Sequence, residues 1–226
     1  MDARSLKELG LLEVARLYRG DEPIGASAPV AATGTATNAA ASAGWDELKA
    51  LVADCRACGL CKQRKQAVFG VGAQAGPWLF VGEGPGADED EQGEPFVGQA
   101  GRLLDSMLAA IGCRRGEDSY IANVVKCRPP GNRTPTTEEA AACAPYLDRQ
   151  IELVAPRLIV ALGKTAIIRL LGTDASVASL RGKVHRYRDI PVVVTYHPAY
   201  LLRSLPEKAK AWEDLLFARR TLAAAT

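Results

Sequence analysis

The chain has 226 residues, 48% of them hydrophobic, and a formal net charge of +2. That length fits one α/β domain with a tail, and that share of apolar side chains buries a core without disulfide staples. The small charge excludes a general affinity for polyanions, so nucleic-acid contact has to come from local clusters, with Arg128/Arg133 and Arg181/Lys183/Arg186/Arg188 as the candidates.

At the N-terminus, MDARSLKELGLLEVARLYRG breaks its apolar positions with charge, and no segment approaches membrane-spanning length, so the expected location is cytoplasmic. In a reducing compartment the six cysteines are read as metal ligands, nucleophiles or core residues rather than as disulfides. Leu6, Leu9, Leu12, Val14 and Leu17 fall at roughly helical spacing, which predicts a short amphipathic helix over Ser5–Tyr18 and a possible docking point for a protein partner. From Gly20 to Gly44 the text turns to Ala, Gly, Thr, Ser and Pro with no apolar period, the composition of a flexible linker. The expected organisation is an extension over 1–44 and a folded domain over 45–226, starting near Trp45, with the chain expected to be a monomer.

From Trp45 onward, short apolar runs alternate with helical segments. Trp78–Val81, Tyr120–Val124, Leu158–Ala161 and Val192–Thr195 have the continuous apolar character of strands buried on both faces. Gln99–Ile111 carries an apolar stripe, and Thr136-Thr137-Glu138-Glu139 is a capping box for a helix running to about Leu153. Lys164–Leu171 and Ala209–Ala224 supply two more helices. The alternation predicts a three-layer α/β/α fold around a mainly parallel four-stranded sheet, with ligand sites in loops after the carboxyl ends of strands.

Four loops carry chemistry. After the first strand, VGEGPGADEDEQGEPFVGQAG combines Gly82, Gly84 and Gly86, which allow close backbone approach, with the carboxylates Glu83, Glu89 and Asp90. Its spacing does not follow the dinucleotide-binding pattern, because acids and then Pro95-Phe96 intervene. Gly163-Lys164-Thr165 resembles the end of a phosphate-binding loop, but the required earlier glycine is Leu158, so Gly163 is read as a plain strand-to-helix turn. Cys55-x-x-Cys58 is a metal-type pair, and Cys127 with Cys143 is a wide pair flanking KCRPPGNRTP; this spacing suits an iron–sulfur cluster at least as well as zinc. Cys58-x-x-Cys61 repeats the tight spacing, so Cys61 is an alternative ligand, whereas Cys113 is assigned to the core. Finally, Tyr196-His197-Pro198-Ala199-Tyr200-Leu201-Leu202-Arg203 places a histidine at a strand's carboxyl end, followed by leucines whose exposure needs a reason.

Together, GEGPGADEDEQGEPFVGQAG, NVVKCRPPGNRTP and HPAYLLR resemble the family 4 uracil-DNA glycosylases, the bacterial and archaeal iron–sulfur type, over about Cys55 to Ala218. The resemblance implies a DNA repair enzyme that flips uracil out of single- or double-stranded DNA and hydrolyses its N-glycosidic bond, leaving an abasic site. It assigns a [4Fe–4S] cluster to Cys55, Cys58, Cys127 and Cys143, leaving Cys61 spare. Catalysis falls to Glu83 and His197, with Glu89 as the rival acid, and uracil binding to Gly84, Glu89, Phe96 and Asn123. Glu89 is also expected to close the pocket against the thymine methyl. DNA contacts are expected from Arg128, Arg133 and Arg203, with Tyr200, Leu201 and Leu202 entering the vacated base stack. No inserted histidine-bearing loop lies between Arg133 and Cys143, which speaks against the covalent-crosslinking branch of the superfamily. The rival from another class is a non-catalytic DNA-binding module on the same fold.

Overall fold

A computed structural model describes residues 36–224. The helix expected over Ser5–Tyr18 lies outside the described residues.

Six strands form one sheet: β1 (Val71–Gly72), β2 (Trp78–Gly82), β3 (Ser119–Asn123), β4 (Leu158–Leu162), β5 (Val184–Tyr187) and β6 (Ile190–Thr195), in the order β1-β3-β2-β4-β6-β5. The four inner strands are parallel, in registers such as Gly82 opposite Asn123 and Ala161 opposite Val194. Every residue of β2, β3 and β4 is buried, which is why these runs lack apolar–polar alternation. Period two survives only as a choice of layer: Leu79 and Val81 enter one core, Trp78 and Phe80 the other.

The sheet corrects the expected four strands to six. Both additions are antiparallel edges, β1 being two residues long and β5 exposing alternate residues in a hairpin with β6. Strands this short or half-wet carry too few apolar residues to register as buried runs.

Helices cover both faces. The first core joins the sheet to α1 (Ala36–Ser42), α2 (Trp45–Ala53), α5 (Thr137–Val154) and α6 (Lys164–Leu171). The second joins it to α4 (Gln99–Ala110) and α9 (Glu207–Ala224). Short helices α3 (Ala87–Gln92), α7 (Val177–Leu180) and α8 (Pro198–Leu201) lie in the connections. The box at Thr136 forms as read: its hydroxyl accepts from the Glu139 amide at 3.2 Å, and the Glu139 carboxylate accepts from the Thr136 amide at 2.8 Å.

One boundary needs correction. The stretch read as linker up to Gly44 contains α1, whose Ala40 joins Ala43 in complete burial in the core, while Arg149 on α5 donates to the Ala43 carbonyl at 2.8 Å. Alanine-rich text has no amphipathic period, yet alanine is the strongest helix former and its small side chain permits close helix packing. The folded domain therefore begins before Trp45.

Candidate active site

Because the inner strands are parallel, their carboxyl ends share one rim, and a cleft of about 590 Å³ opens there. Glu83 follows β2, Asn123 ends β3, Gly163 follows β4 and His197 comes two residues after β6; all four line the cleft, as do Gly84, Glu89 and Phe96. The fold thus brings into one cleft the residues that three separate motifs nominated for catalysis and base binding.

Two glycines make the close packing possible. A Cβ on Gly82 would lie 2.5 Å from both the Asn123 side-chain oxygen and the Phe96 ring. At Gly163, where φ is +84°, a Cβ would lie 2.9 Å from that of His197. Phe96 itself has φ +56°, a left-handed conformation that costs a non-glycine residue on the order of 1–3 kcal/mol. Arg115 holds it there: the guanidinium donates to the carbonyls of Pro95 and Phe96, both at 2.8 Å, and pairs with Glu94 and Asp105. The Phe96 ring stacks beside the His197 imidazole, with centroids 5.5 Å apart and planes 29° apart.

Asn123 is buried at the strand end, and its side-chain oxygen has no hydrogen-bond partner among the described residues. A buried unpaired carbonyl costs about 1–3 kcal/mol, so this atom is an acceptor awaiting a donor. The imidazole of His197 has a defined polarity. Its Nδ1 accepts the Ala199 amide hydrogen at 3.2 Å, so the neutral ring carries its proton on Nε2. Burial, reinforced by Arg203 and opposed by Glu89, holds the imidazole down to about 4, so it is neutral at pH 7.

The two carboxylates of the first loop separate in role. Glu83 accepts a hydrogen bond from the Thr165 hydroxyl on α6. Glu89 receives three backbone amides, Gly86 at 3.0 Å, Val97 at 2.9 Å and Gly98 at 3.1 Å, and so ties the two ends of its loop together. Gly163-Lys164-Thr165 is therefore more than the plain turn it was read as: Gly163 admits His197, Thr165 holds Glu83, and Lys164 lines the cleft. The sequence signal for these roles is the segment's position directly after a central strand.

Around the mouth, Arg203, Arg133 and Tyr200 line the cleft. Tyr200 and Leu202 are 39% and 38% exposed, and Leu205, not singled out in the sequence, is 62% exposed. Leu201 corrects an expectation: it is only 1% exposed, packed with Tyr196 and Ala211, and cannot enter a base stack without leaving the core. Arg133 forms a two-pronged pair with Glu139 at 2.7 and 2.8 Å, and Arg128 donates to Asn132 at 2.7 Å. The second basic group goes elsewhere: Arg181 pairs with Glu213 and Asp214, Arg188 with Glu152, and none of Arg181, Lys183, Arg186 or Arg188 lines the cleft.

Behind the β3 end, Cys55, Cys58, Cys127 and Cys143 line one small cavity, while Cys61 lines a neighbouring surface pocket and Cys113 is buried in the opposite core. Among the described residues, no three Cys, His, Asp or Glu side chains are gathered tightly enough to share a single metal ion. Cys55, Cys58, Cys127 and Cys143 are the residues the fold places around one space, where thiolates could hold a cysteine-ligated group. Burial pushes the Cys143 thiol up to about 12 and raises Cys58 and Cys127, so ligation has to displace protons.

Comparison with known proteins gives the same direction. The family description of the uracil DNA glycosylase superfamily matches residues 69–216. A type-4 uracil-DNA glycosylase of Pyrobaculum aerophilum is 45% identical over 177 residues, covering 75% of this chain and 90% of that protein. The type-4 enzyme of Thermotoga maritima is 48% identical over 165 residues, covering 70% and 85%, and that of Archaeoglobus fulgidus is 46% identical, covering 70% and 82%.

Proposed function

The chain belongs to the uracil DNA glycosylase superfamily, and from that premise we propose that it is a monofunctional uracil-DNA glycosylase that opens base excision repair. The observation that carries the reading is the buried, unpartnered Asn123 carbonyl oxygen facing a cleft that also holds an Nε2-protonated His197.

Uracil presents an N3–H donor between two carbonyl acceptors. The Asn123 oxygen accepts from N3–H and its amide nitrogen donates to O4. Cytosine reverses both atoms, leaving buried groups unpaired, and is rejected for that reason. Phe96 offers a stacking face, and the flipped nucleotide reaches it because the cost of unstacking, a few kcal/mol, is returned by these contacts.

Cleavage of the C1′–N1 bond sends its electron pair to uracil and leaves positive charge on the sugar. His197 donates from Nε2 toward O2, where the negative charge gathers, and being neutral it does so without becoming a competing acid. Glu83, held by Thr165, stabilises the sugar cation and orients the water that adds to C1′. The water proton passes through Glu83 to solvent, and uracil leaves as the anion and is protonated there. Glu89 acts one step back: its three amide contacts shape the wall of the base pocket, on the side where a thymine methyl would sit.

At the surface, Arg133, Lys164 and Arg203 meet phosphates while Tyr200 and Leu202 fill the gap in the stack. Lys126, Arg64 and the cysteine cavity lie away from the reacting atoms. Cys55, Cys58, Cys127 and Cys143 would hold a [4Fe–4S] cluster whose role would be structural, cross-linking the loop Cys127–Pro135, in which regular backbone hydrogen bonding is confined to one 3-10 turn at Pro130–Asn132. The protein acts on DNA in the cytoplasm, and among the described residues no helix is long and apolar enough to cross a membrane.

The test is an end-labelled oligonucleotide carrying one uracil, incubated with enzyme and resolved with and without alkali. Strand cleavage only after alkali is the expected result. An intact strand in both lanes, from protein whose visible absorbance shows the cluster, overturns the catalytic reading in favour of DNA binding alone.

A further inference from the structure

The cysteine corner has a charge imbalance that its salt bridges do not cover. Lys126 is entirely enclosed, yet its ammonium meets only neutral acceptors: the Asn123 backbone carbonyl at 2.9 Å and the Gln150 side-chain carbonyl at 2.5 Å. Gln150 is in turn fixed by donating to the Phe69 carbonyl at 2.8 Å and the Tyr120 hydroxyl at 3.0 Å. Arg64, half-buried on the other side, donates to the Cys127 sulfur at 2.8 Å and to the Ala53 carbonyl at 2.6 Å. Neither cation has a carboxylate within ion-pair distance among the described residues.

Two further charges whose fields reach the corner are paired. Glu139 is paired with Arg133, and Arg169 with Asp148. Arg64 and Lys126 are the two cations that reach the ligand segment directly, one of them in the core. A buried charge is unfavourable without a counterion, so an enclosed ammonium that meets only neutral acceptors calls for a negative partner. A cluster core of charge 2+ held by four thiolates leaves the site doubly negative, the sum these two cations match. Chemical contact agrees with the count: Arg64 reaches the sulfur of Cys127, and the backbone amide of Lys126 donates to the sulfur of Cys143 at 3.3 Å.

We propose that Arg64 and Lys126 are the two countercharges of the cysteine-bound cluster, and that Lys126, through the Asn123 carbonyl, ties the cluster corner to the base-reading strand end. The proposal rests on the cluster reading above. Lys126 is a positioning residue here: it touches neither uracil nor sugar, and it acts through the backbone that carries Asn123.

Net charge and hydrogen bonds to sulfur set a cluster's reduction potential, because reduction adds a negative charge that neighbouring cations stabilise. The experiment compares full-length wild type with Arg64→Gln, Arg64→Lys and Lys126→Met. It measures iron and acid-labile sulfide, reduction potential, the rate of iron loss to a chelator, and KM on a uracil-containing single strand. Wild type is expected to hold iron and sulfide in equal amounts. Arg64→Gln shifts the potential negative and releases iron several-fold faster, and Arg64→Lys recovers most of both. Lys126→Met shows the larger shift and also raises KM. Wild type without iron overturns the cluster reading, and the proposal with it. Iron-loaded Arg64→Gln with wild-type potential and release rate overturns the countercharge assignment alone, and because Arg64 is half-exposed this result does not depend on Lys126→Met folding.

Discussion

The base cleft and the cysteine corner grow from the same strand end, with Asn123 on one side and Cys127 a few residues on, but they are built differently. In the cleft the chain supplies its own order: Glu89 collects three amides, Arg115 holds the Phe96 turn, Ala199 fixes the His197 tautomer, and Thr165 holds Glu83. The Asn123 side-chain oxygen, buried and without a partner among the described residues, and the Nε2–H of His197 are left for a ligand. In the corner, four thiols line a cavity and two cations lack carboxylate partners among the described residues, so on the cluster reading order there would depend on a bound group. On the proposed reading the cleft is preorganised for a substrate that comes and goes, and the corner would be completed once, at folding. Preorganisation in the first region and dependence in the second predict opposite responses to mutation.

The largest effect is expected in the cleft with the fold unchanged. Asn123→Leu and His197→Ala each remove a donor or acceptor aimed at uracil, and single-turnover excision should fall by about 10²–10³-fold while the thermal midpoint hardly moves. A large drop in melting temperature in either variant would show that these groups carry structure instead.

In the corner the order of effects reverses. Cys143→Ser should lose the visible absorbance and melt at a lower temperature, with the loss of excision following from a loosened Cys127–Pro135 loop. Retained absorbance at wild-type intensity would remove Cys143 from the ligand set.

A smaller change separates orientation from chemistry. Thr165→Val keeps shape but deletes the hydroxyl on Glu83, and kcat should drop by about tenfold at unchanged KM, since one hydrogen bond to a charged group is worth about 1.5–3 kcal/mol at most. Thr165→Ser should restore it. Failure of serine to rescue would make the contact one of packing.

The smallest expected effect is an absence. His197 is held down to about 4, below its unfolded value near 6.5, so its neutral form is present throughout pH 5–8. The rate on a uracil oligonucleotide should show no acid limb near pH 6.5 that disappears in His197→Gln. The stability contributed by keeping the ring neutral is complete above pH 6.5 and is lost as pH falls from there through 4. A limb at 6.5 in wild type alone would mean that the imidazole is wetter than its packing implies.

Much of this was legible beforehand because it is local. Four apolar runs marked the inner strands, Thr136 and Glu139 marked a helix start, and three motifs placed Glu83, Asn123 and His197 at strand ends, where a parallel sheet collects its loops. Edge strands escaped because two residues or one wet face leave little pattern, and α1 escaped because alanine reads equally as linker and helix.

What the sequence by itself determined was the identity and order of the chemical groups, since composition, spacing and strand-end position are properties of neighbours along the chain. Only the tertiary structure decided their duties. Thr165 meets Glu83 across 82 positions, Arg64 meets Cys127 across 63, and the ammonium of Lys126 finds Gln150 across 24. Leu201 and Leu202 are adjacent and alike in the text, yet α8 packs the first against Ala211 and leaves the second outside. Which face a side chain takes, and which distant partner satisfies it, follows from how whole elements pack, and no window of sequence contains both sides of such a contact.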